Sequence, residues 1–260
     1  MTRSCLTKLT VVAALAAALT FPAASRAQRK GGGAGGQTSQ PDETDYSAWS
    51  STKEGPKKNQ LGQRFVENYP ASKYCSLVYE HLVLSYYMLQ DWNDFYATAD
   101  KAIQRFPDDG SILTLVGWVI PHQANSSDPD EKKKLEKAEA YEKHAIELIN
   151  NMNPPSSLSA KEFAADKAQM LSQAHSGLGL VYFHNGAYDD SVKELQQATQ
   201  IGGSPDPTDL YALGVSLDGL NRYGEAAEAF QKCAAISGDL QSQCKQSAGQ
   251  DKTRAAAQPK

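Results

Sequence analysis

Residues 178–198 read LGLVYFHNGAYDDSVKELQQA, and residues 213–233 read LGVSLDGLNRYGEAAEAFQKC. Leucine-glycine, tyrosine and small residues recur in the same columns of the two stretches, with matched positions 35 residues apart. A unit of this length forms two helices, which cannot bury their apolar stripes alone and must be covered by neighbouring units. The repeat therefore predicts a stack of helical hairpins rather than a single globule.

The same pattern continues upstream. One unit runs from Leu82 to Pro107, a more divergent one begins at Val116 and resumes at Ala138, and residues 65–70 match the end of a unit. Apolar residues recur at three- and four-residue spacing, which is typical of helices, and no segment alternates for long with period two. We therefore expect an all-α fold of about 3.5–4 helix pairs with a capping helix.

These columns resemble those of the tetratricopeptide repeat family: Leu-Gly, then Tyr, then Gly-x-Tyr, then small residues around an apolar one, and finally Pro. The resemblance covers roughly residues 56–247. It implies a right-handed α-solenoid of antiparallel helix pairs that mediates protein–protein contact. The aromatic-rich motif at 65–74 also looks like the first unit of exported bacterial proteins of this type.

The N-terminal segment predicts export. Residues 1–27 contain Arg3 and Lys8, then an apolar run, then a small-x-small site ending at Ala27, which together indicate a cleaved signal peptide. A retained anchor is the alternative, but an apolar run of about 13 residues is short beside the roughly 20 that span a bilayer. We expect a periplasmic, envelope or secreted protein without an integral membrane segment after cleavage.

The remaining boundaries follow from composition. Residues 28–52 contain GGGAGG and then mostly polar residues, which predicts a flexible linker. Residues 53–247 form the predicted repeat domain, and residues 248–260 are expected to be a disordered tail. Cleavage after Ala27 would change the formal charge from −4 to −7. Such an acidic chain without a basic stripe is poorly suited to nucleic-acid binding.

Three cysteines would remain after cleavage: Cys75, Cys233 and Cys244. Cys233 and Cys244 are 11 residues apart across a predicted turn, which suits a disulfide between the last repeat helix and the cap. Export would favour such a bond. Two separately buried thiols are the alternative, and Cys75 is left over, either buried or paired with another chain.

Motifs for catalysis are not evident, and the sequence predicts a protein that is not an enzyme. Its five histidines form no HExxH or Cys-x-x-Cys set, so no metal site is expected. The glycine-rich stretch lacks the Lys-Ser/Thr of a phosphate-binding loop, so no nucleotide cofactor is expected.

The resemblance places ligand contacts on the first helix of each pair. This implies a groove that binds an unidentified protein or peptide with apolar side chains, rather than by a carboxylate clamp. Its predicted lining is Leu84, Tyr87, Met88, Trp118, Leu180, Phe183, His184, Tyr211 and Val215. For each of these residues, ordinary packing between helices is the competing interpretation.

Two other functions are left open. The first is an enzyme or small-ligand-binding protein whose site lies in the irregular segment 121–160, where His122, Asp128 and Asp130 could converge on a pocket. The second is a structural array that associates with itself through the aromatic groove residues.

Overall fold

The computed structural model describes residues 40–156, 158–201 and 203–258. The predicted signal peptide lies outside these ranges. Eleven α-helices and no strand occur in them, which confirms the all-α prediction. The helices are α1 (Pro41–Ser51), α2 (Pro56–Asn68), α3 (Cys75–Leu89), α4 (Trp92–Arg105), α5 (Gly110–His122), α6 (Glu131–Asn150), α7 (Ala160–His184), α8 (Tyr188–Ile201), α9 (Pro207–Gly219), α10 (Tyr223–Ala234) and α11 (Gln241–Ala257).

Four helix pairs form the body of the fold: α3–α4, α5–α6, α7–α8 and α9–α10. The first helices of the pairs contact one another in chain order, and we call α3, α5, α7 and α9 the inner layer. Each second helix contacts its own partner and the first helix of the next pair. This arrangement is that of an α-solenoid, as the repeat predicts.

Local signals begin several of these helices where the repeat requires them. Asp91, Asp109 and Asp206 each accept a hydrogen bond from a backbone amide of the first turn that follows. Ser159 and Glu162 form a reciprocal capping box at the start of α7. These caps satisfy amides that have no partner within the helix, so they fix the start of each hairpin.

Helix α1 corrects the predicted linker. Residues 28–39 lie outside the described ranges, but residues 41–51 are helical and Trp49 is 6% exposed. The ring of Tyr46 stacks on that of Tyr74 with 3.9 Å between centroids, and Tyr69 donates a 2.7 Å hydrogen bond to Asp45. Composition alone was misleading here, because aromatic and polar contacts with distant residues hold this otherwise polar segment against the rest of the fold.

Helix α11 corrects the predicted tail. It continues to Ala257, and Ala248 and Asp251 are buried against the rest of the array. Arg254 forms ion pairs with Asp218 and Asp251, so the helix is held by charge as well as by apolar contact. The capping helix therefore has about three more turns than residues 239–247 would allow.

Cys233 on α10 and Cys244 on α11 form a disulfide with 5.9 Å between their Cα atoms. In the chain-entropy description, closing a loop of this size stabilises the fold by about 3 kcal/mol. The bond therefore fastens the cap to the last helix pair. Cys75 is buried and free, and its thiol donates to the carbonyl of Tyr69 at 3.0 Å.

Glycines let the two helices of a pair approach closely. A Cβ atom at Gly179 would lie 2.7 Å from Cγ of Leu195 and 3.1 Å from the backbone nitrogen of Leu195. A Cβ atom at Gly214 would lie 2.6 Å from the ring of Phe230 in the same way. These glycines belong to the repeated Leu-Gly column, so the repeat pattern records the helix contact itself.

None of the described helices combines the length and apolar character that a membrane crossing requires.

Gly179→Ala is expected to lower the free energy of unfolding by about 1–3 kcal/mol, because the added methyl group meets backbone atoms that cannot rotate away. Gly249→Ala is the matched control, since Gly249 also lies within a helix but has no atom near its Cβ position. The control should be neutral or stabilising by up to about 1 kcal/mol. Urea unfolding of both variants measures the difference, and equal stability would contradict the close-contact assignment.

Candidate functional site

A buried chain of polar groups joins three helices of the inner layer. The indole Nε1 of Trp118 donates to Oγ of Ser176 at 3.1 Å, and that hydroxyl donates to Oδ1 of Asp209 at 2.7 Å. All three side chains are buried. Burial, followed by the charge of Asp206, raises the pKa of Asp209 well above its usual range, although the Ser176 hydroxyl opposes this. The chain therefore links α5, α7 and α9 on the inside of the array.

Glu142 occupies the space between α5, α6 and α7. It is fully buried, and neither carboxyl oxygen has a hydrogen-bond partner among the described residues. A Cβ atom at Gly177 or Gly117 would collide with this carboxyl group, so the two glycines make the room for it. Burial raises the pKa of Glu142 well above its ordinary value of 4.5, because the charged form loses its hydration.

Aromatic rings connect α3 to the end of α5. The rings of Tyr87 and Trp118 lie 5.9 Å apart, and those of Trp118 and His122 lie 4.0 Å apart. Nδ1 of His122 donates to the carbonyl of Trp118 at 2.8 Å, so the neutral ring carries its free lone pair on Nε2. Burial lowers the pKa of His122, and the charge of Asp206 opposes the shift.

Two acidic residues, Glu80 and Asp109, lie close together where α3 meets α5 in the inner layer. Burial raises the pKa of Glu80 on α3 to about 8, and the neighbouring Asp109 adds to the shift. Asp109 also accepts hydrogen bonds from the hydroxyl of Ser76 and from the backbone of Ile112. Because this pKa lies above neutral pH, the carboxyl group of Glu80 keeps its proton there.

Two predicted groove residues are not on the surface. Trp118 is 5% exposed and Leu180 is 2% exposed. Helix α5 is buried from Ile112 to Pro121, and the glycines of α5 and α7 bring the inner helices together. The groove prediction is wrong for these two positions, because they pack within the array and cannot meet a ligand without opening it.

The other predicted groove residues are wholly or partly exposed, in two sets. The first set lies on α3, against the N-terminal core, and consists of Leu84, Tyr87 and Met88. The second set lies at the end of α7 and in the middle of α9, and consists of Phe183, His184, Tyr211 and Val215. The hydroxyl of Tyr211 accepts a 2.5 Å hydrogen bond from Gln243, so α11 covers part of this second set.

Three acidic residues near the inner layer were not predicted as site residues: Glu142 on α6, and Asp206 and Asp209 at the start of α9. The burial of Glu142 and Asp209 depends on contacts with neighbouring helices, which the repeat pattern does not specify. Asp206 does cap α9, through its bond to the amide of Thr208. The sequence does contain one signal for a buried acid: Asp209 follows the capping residue Asp206 and lies in the first turn of a largely apolar helix.

The irregular segment does not converge as an enzyme site would. His122 binds the backbone of its own helix, whereas Asp128 is paired with Lys134 at 2.6 Å and Asp130 is exposed. Asp128 alone of the three lines a small cavity in this region. Across the described ranges, no group of three histidine, cysteine, aspartate or glutamate side chains could hold a metal ion.

Residues 210–240, which span most of α9, α10 and the turn after it, match the family model of the tetratricopeptide repeat. The preceding helix pairs repeat this arrangement of two helices.

No curated protein matches the sequence. Similar solved structures include a thermophilic tetratricopeptide repeat protein of Thermus thermophilus, at 18% identity and a TM-score of 0.44, covering 83% of this chain and 95% of that one. Yeast Tom70 is similar at 13% identity and a TM-score of 0.32, covering 83% of this chain and 46% of the Tom70 chain.

Glu142→Gln is expected to flatten the pH dependence of stability. The folded-state pKa of Glu142 is raised, so its contribution is fully present below pH 4.5 and is lost as pH rises through the folded pKa. In that window the variant should gain up to about 1.4 kcal/mol per pH unit relative to the wild type. Urea unfolding between pH 4.5 and 8.5 tests this.

Glu147→Gln is the control for this series, because Glu147 lies on the same helix but is exposed. It should follow the wild-type pH dependence. Asp209 also has a raised pKa, so part of the wild-type slope should remain in Glu142→Gln. Parallel curves for Glu142→Gln and the wild type would mean that Glu142 is hydrated and ionised in the folded protein.

Proposed function

We propose that this chain is a non-catalytic scaffold that is exported to the cell envelope or secreted, and that binds a protein or peptide along its inner layer. The bound segment presents apolar side chains to the two exposed sets, one on α3 and one at the end of α7 and the middle of α9.

The observation that carries this proposal is the incomplete burial of large apolar side chains on one layer. In the first set, Met88 is 55% exposed, and Leu84 and Tyr87 are half-buried. In the second set, Phe183 is half-buried. Exposed apolar groups in a shared layer lower the free energy of association when a partner removes them from water. Tetratricopeptide repeat proteins generally act as interaction scaffolds, which supports the same conclusion.

The charges around the layer favour a partner that is neutral or basic. Burial is the main cause of the raised pKa of Tyr87, and the negative charge of Asp206 is the second. Asp206, at the start of α9, therefore acts electrostatically on a residue of α3. A second carboxylate, Asp109, lies where α3 meets α5 in the same layer. An acidic segment would be repelled by these groups, and complementary charge mainly increases the rate and specificity of association.

Export is supported by two independent features. The first is the signal-like composition of residues 1–27. The second is the disulfide between Cys233 and Cys244, because such bonds persist in oxidising compartments and are rare in the cytosol.

The binding surface is tested by substitutions at exposed positions, since replacing the buried Trp118 would unfold part of the array. Met88→Ser and Phe183→Ser, in one double variant, should reduce capture of crosslinked partners from the envelope fraction by at least about tenfold. The loss is expected because each substitution removes an apolar contact of about 1–3 kcal/mol. Quantitative mass spectrometry of the captured proteins measures it.

Leu89→Ser is the matched control. Leu89 is 59% exposed and follows Met88 on the same helix, but lies outside the predicted groove set. Its capture profile should equal that of the wild type. If the double variant captures the same partners in the same amounts, the groove assignment fails. Light scattering tests self-association. If the wild type and Leu89→Ser are dimers and the double variant is a monomer, the surface binds a second copy of this chain instead.

Export has its own test. The mature protein isolated from cells is expected to begin at Gln28, because cleavage follows Ala27, and to contain Cys233 and Cys244 in oxidised form. N-terminal sequencing and thiol labelling of the envelope and cytosolic fractions measure both. An intact Met1 terminus with reduced cysteines in the cytosolic fraction would contradict export.

A further inference from the structure

A small cavity lies beside the segment 123–130, which connects α5 to α6 and which we call the insertion after α5. Its volume is about 210 Å³. Drug-sized ligands occupy sites of roughly 300–1,000 Å³, so this cavity suits a group no larger than one long side chain. It is lined by Trp92, Tyr96, Ile120, Gln123, Leu135 and the acids Asp128 and Glu131, with Ala124, Asn125 and Lys134 at its remaining edge.

The insertion that forms the cavity is organised around Asp128. Oδ1 of Asp128 accepts from the backbone amide of Asp130 at 2.9 Å, and Oδ2 accepts from Lys134 at 2.6 Å. The amide of Asp128 in turn donates to the carbonyl of Asn125 at 2.8 Å. Both carboxylate oxygens are therefore used by the protein, and Lys134 balances their charge.

Glu131 is the other carboxylate in the lining. Within the described ranges, no hydrogen bond or ion pair holds its side chain. An acid in the first turn of α6 is stabilised by the helix dipole, but that interaction leaves its oxygens uncovered. The cavity thus has one negative charge that no basic side chain of the protein balances by contact.

Part of the cavity lining is aromatic. Trp92 and Tyr96 both line the cavity and are one helical turn apart on α4. Burial and the charge of Asp128 raise the pKa of Tyr96 to about 12, so its phenol stays neutral. Aromatic faces attract cations, most strongly the indole ring, and they also cover the methylene groups that precede a charged end.

We propose that this cavity binds an alkylammonium group, with the cation against Glu131 and the alkyl chain against Trp92 and Tyr96. The charge, the aromatic wall and the volume each suit this group, and together they disfavour anions and bulky ligands. The group comes either from a lysine side chain of a partner or from a free amine. The proposal does not depend on the groove, since the cavity lies on the α4 side of the insertion.

Isothermal titration of the mature protein with Nα-acetyl-lysine amide is the direct test, with Nα,Nε-diacetyl-lysine amide as its neutral counterpart. The charged probe should bind, and the neutral one should bind at least about tenfold more weakly, because it lacks the ion pair. No heat of binding at millimolar concentrations of the charged probe, or equal affinity for both, would overturn the proposal.

Glu131→Gln keeps the shape of the cavity and removes its charge, and it should weaken binding of the charged probe by about tenfold. Glu136→Gln is the matched control, since Glu136 is on the same helix, exposed and outside the cavity. Its affinity should equal that of the wild type. Unchanged affinity in Glu131→Gln, with unfolding temperatures equal to the wild type, would mean that Glu131 is not the binding group.

Two further probes distinguish the sources of the amine: n-butylammonium chloride and an alanine-glycine peptide with one central lysine. Tighter binding of the peptide would assign the cavity to a partner's lysine, whereas equal binding would assign it to a free amine. Binding of neither would contradict the proposal. The groove double variant, Met88→Ser with Phe183→Ser, should leave all of these affinities unchanged.

Discussion

The burial of helix α5 is the constraint on which the rest of the structure depends. Every residue from Ile112 to Pro121 is buried, so this helix has no solvent face and must be covered by neighbours on all sides. Helices α3 and α4 cover one side, and α6 and α7 cover the other. The first helix pair is therefore joined to the later ones through α5, and loss of its packing would divide the array.

Close packing around α5 also determines what the inner layer can present. Gly117 and Gly177 allow α5, α6 and α7 to approach, and the side chain of Glu142 fills the space that remains. The chain from Trp118 through Ser176 to Asp209 then closes the centre of the layer with hydrogen bonds. Buried polar groups of this kind are costly unless they are paired, so the centre resists opening. Exposed apolar groups are left at the two ends.

The sequence predicted the architecture well because the determinants of helix stacking are local and periodic. The glycines of the Leu-Gly column lie at the contacts between paired helices, where the repeat pattern placed them. Helix α1 and the second half of α11 were missed because their polar composition suggested disorder, whereas contacts with distant residues, such as Tyr46 with Tyr74 and Arg254 with Asp218, help to hold them. Local composition does not reveal partners that lie 28 or 36 residues away.

The site was harder to predict for the same reason. Family geometry assumes an open concave surface, and it selected Trp118 and Leu180 by position on their helices. The burial of Trp118 depends on how closely α5 and α7 approach, which Gly177 permits. Leu180 is buried instead in the core that α7 forms with α8, α9 and α10. The insertion after α5 has the opposite effect. It separates α5 from α6 by eight residues, 123–130, where a regular repeat would have a short turn. Asp128 stabilises this loop through hydrogen bonds to both of its carboxylate oxygens. Close packing thus removes an expected site at the centre of the array, and a departure from the repeat creates a cavity beside it.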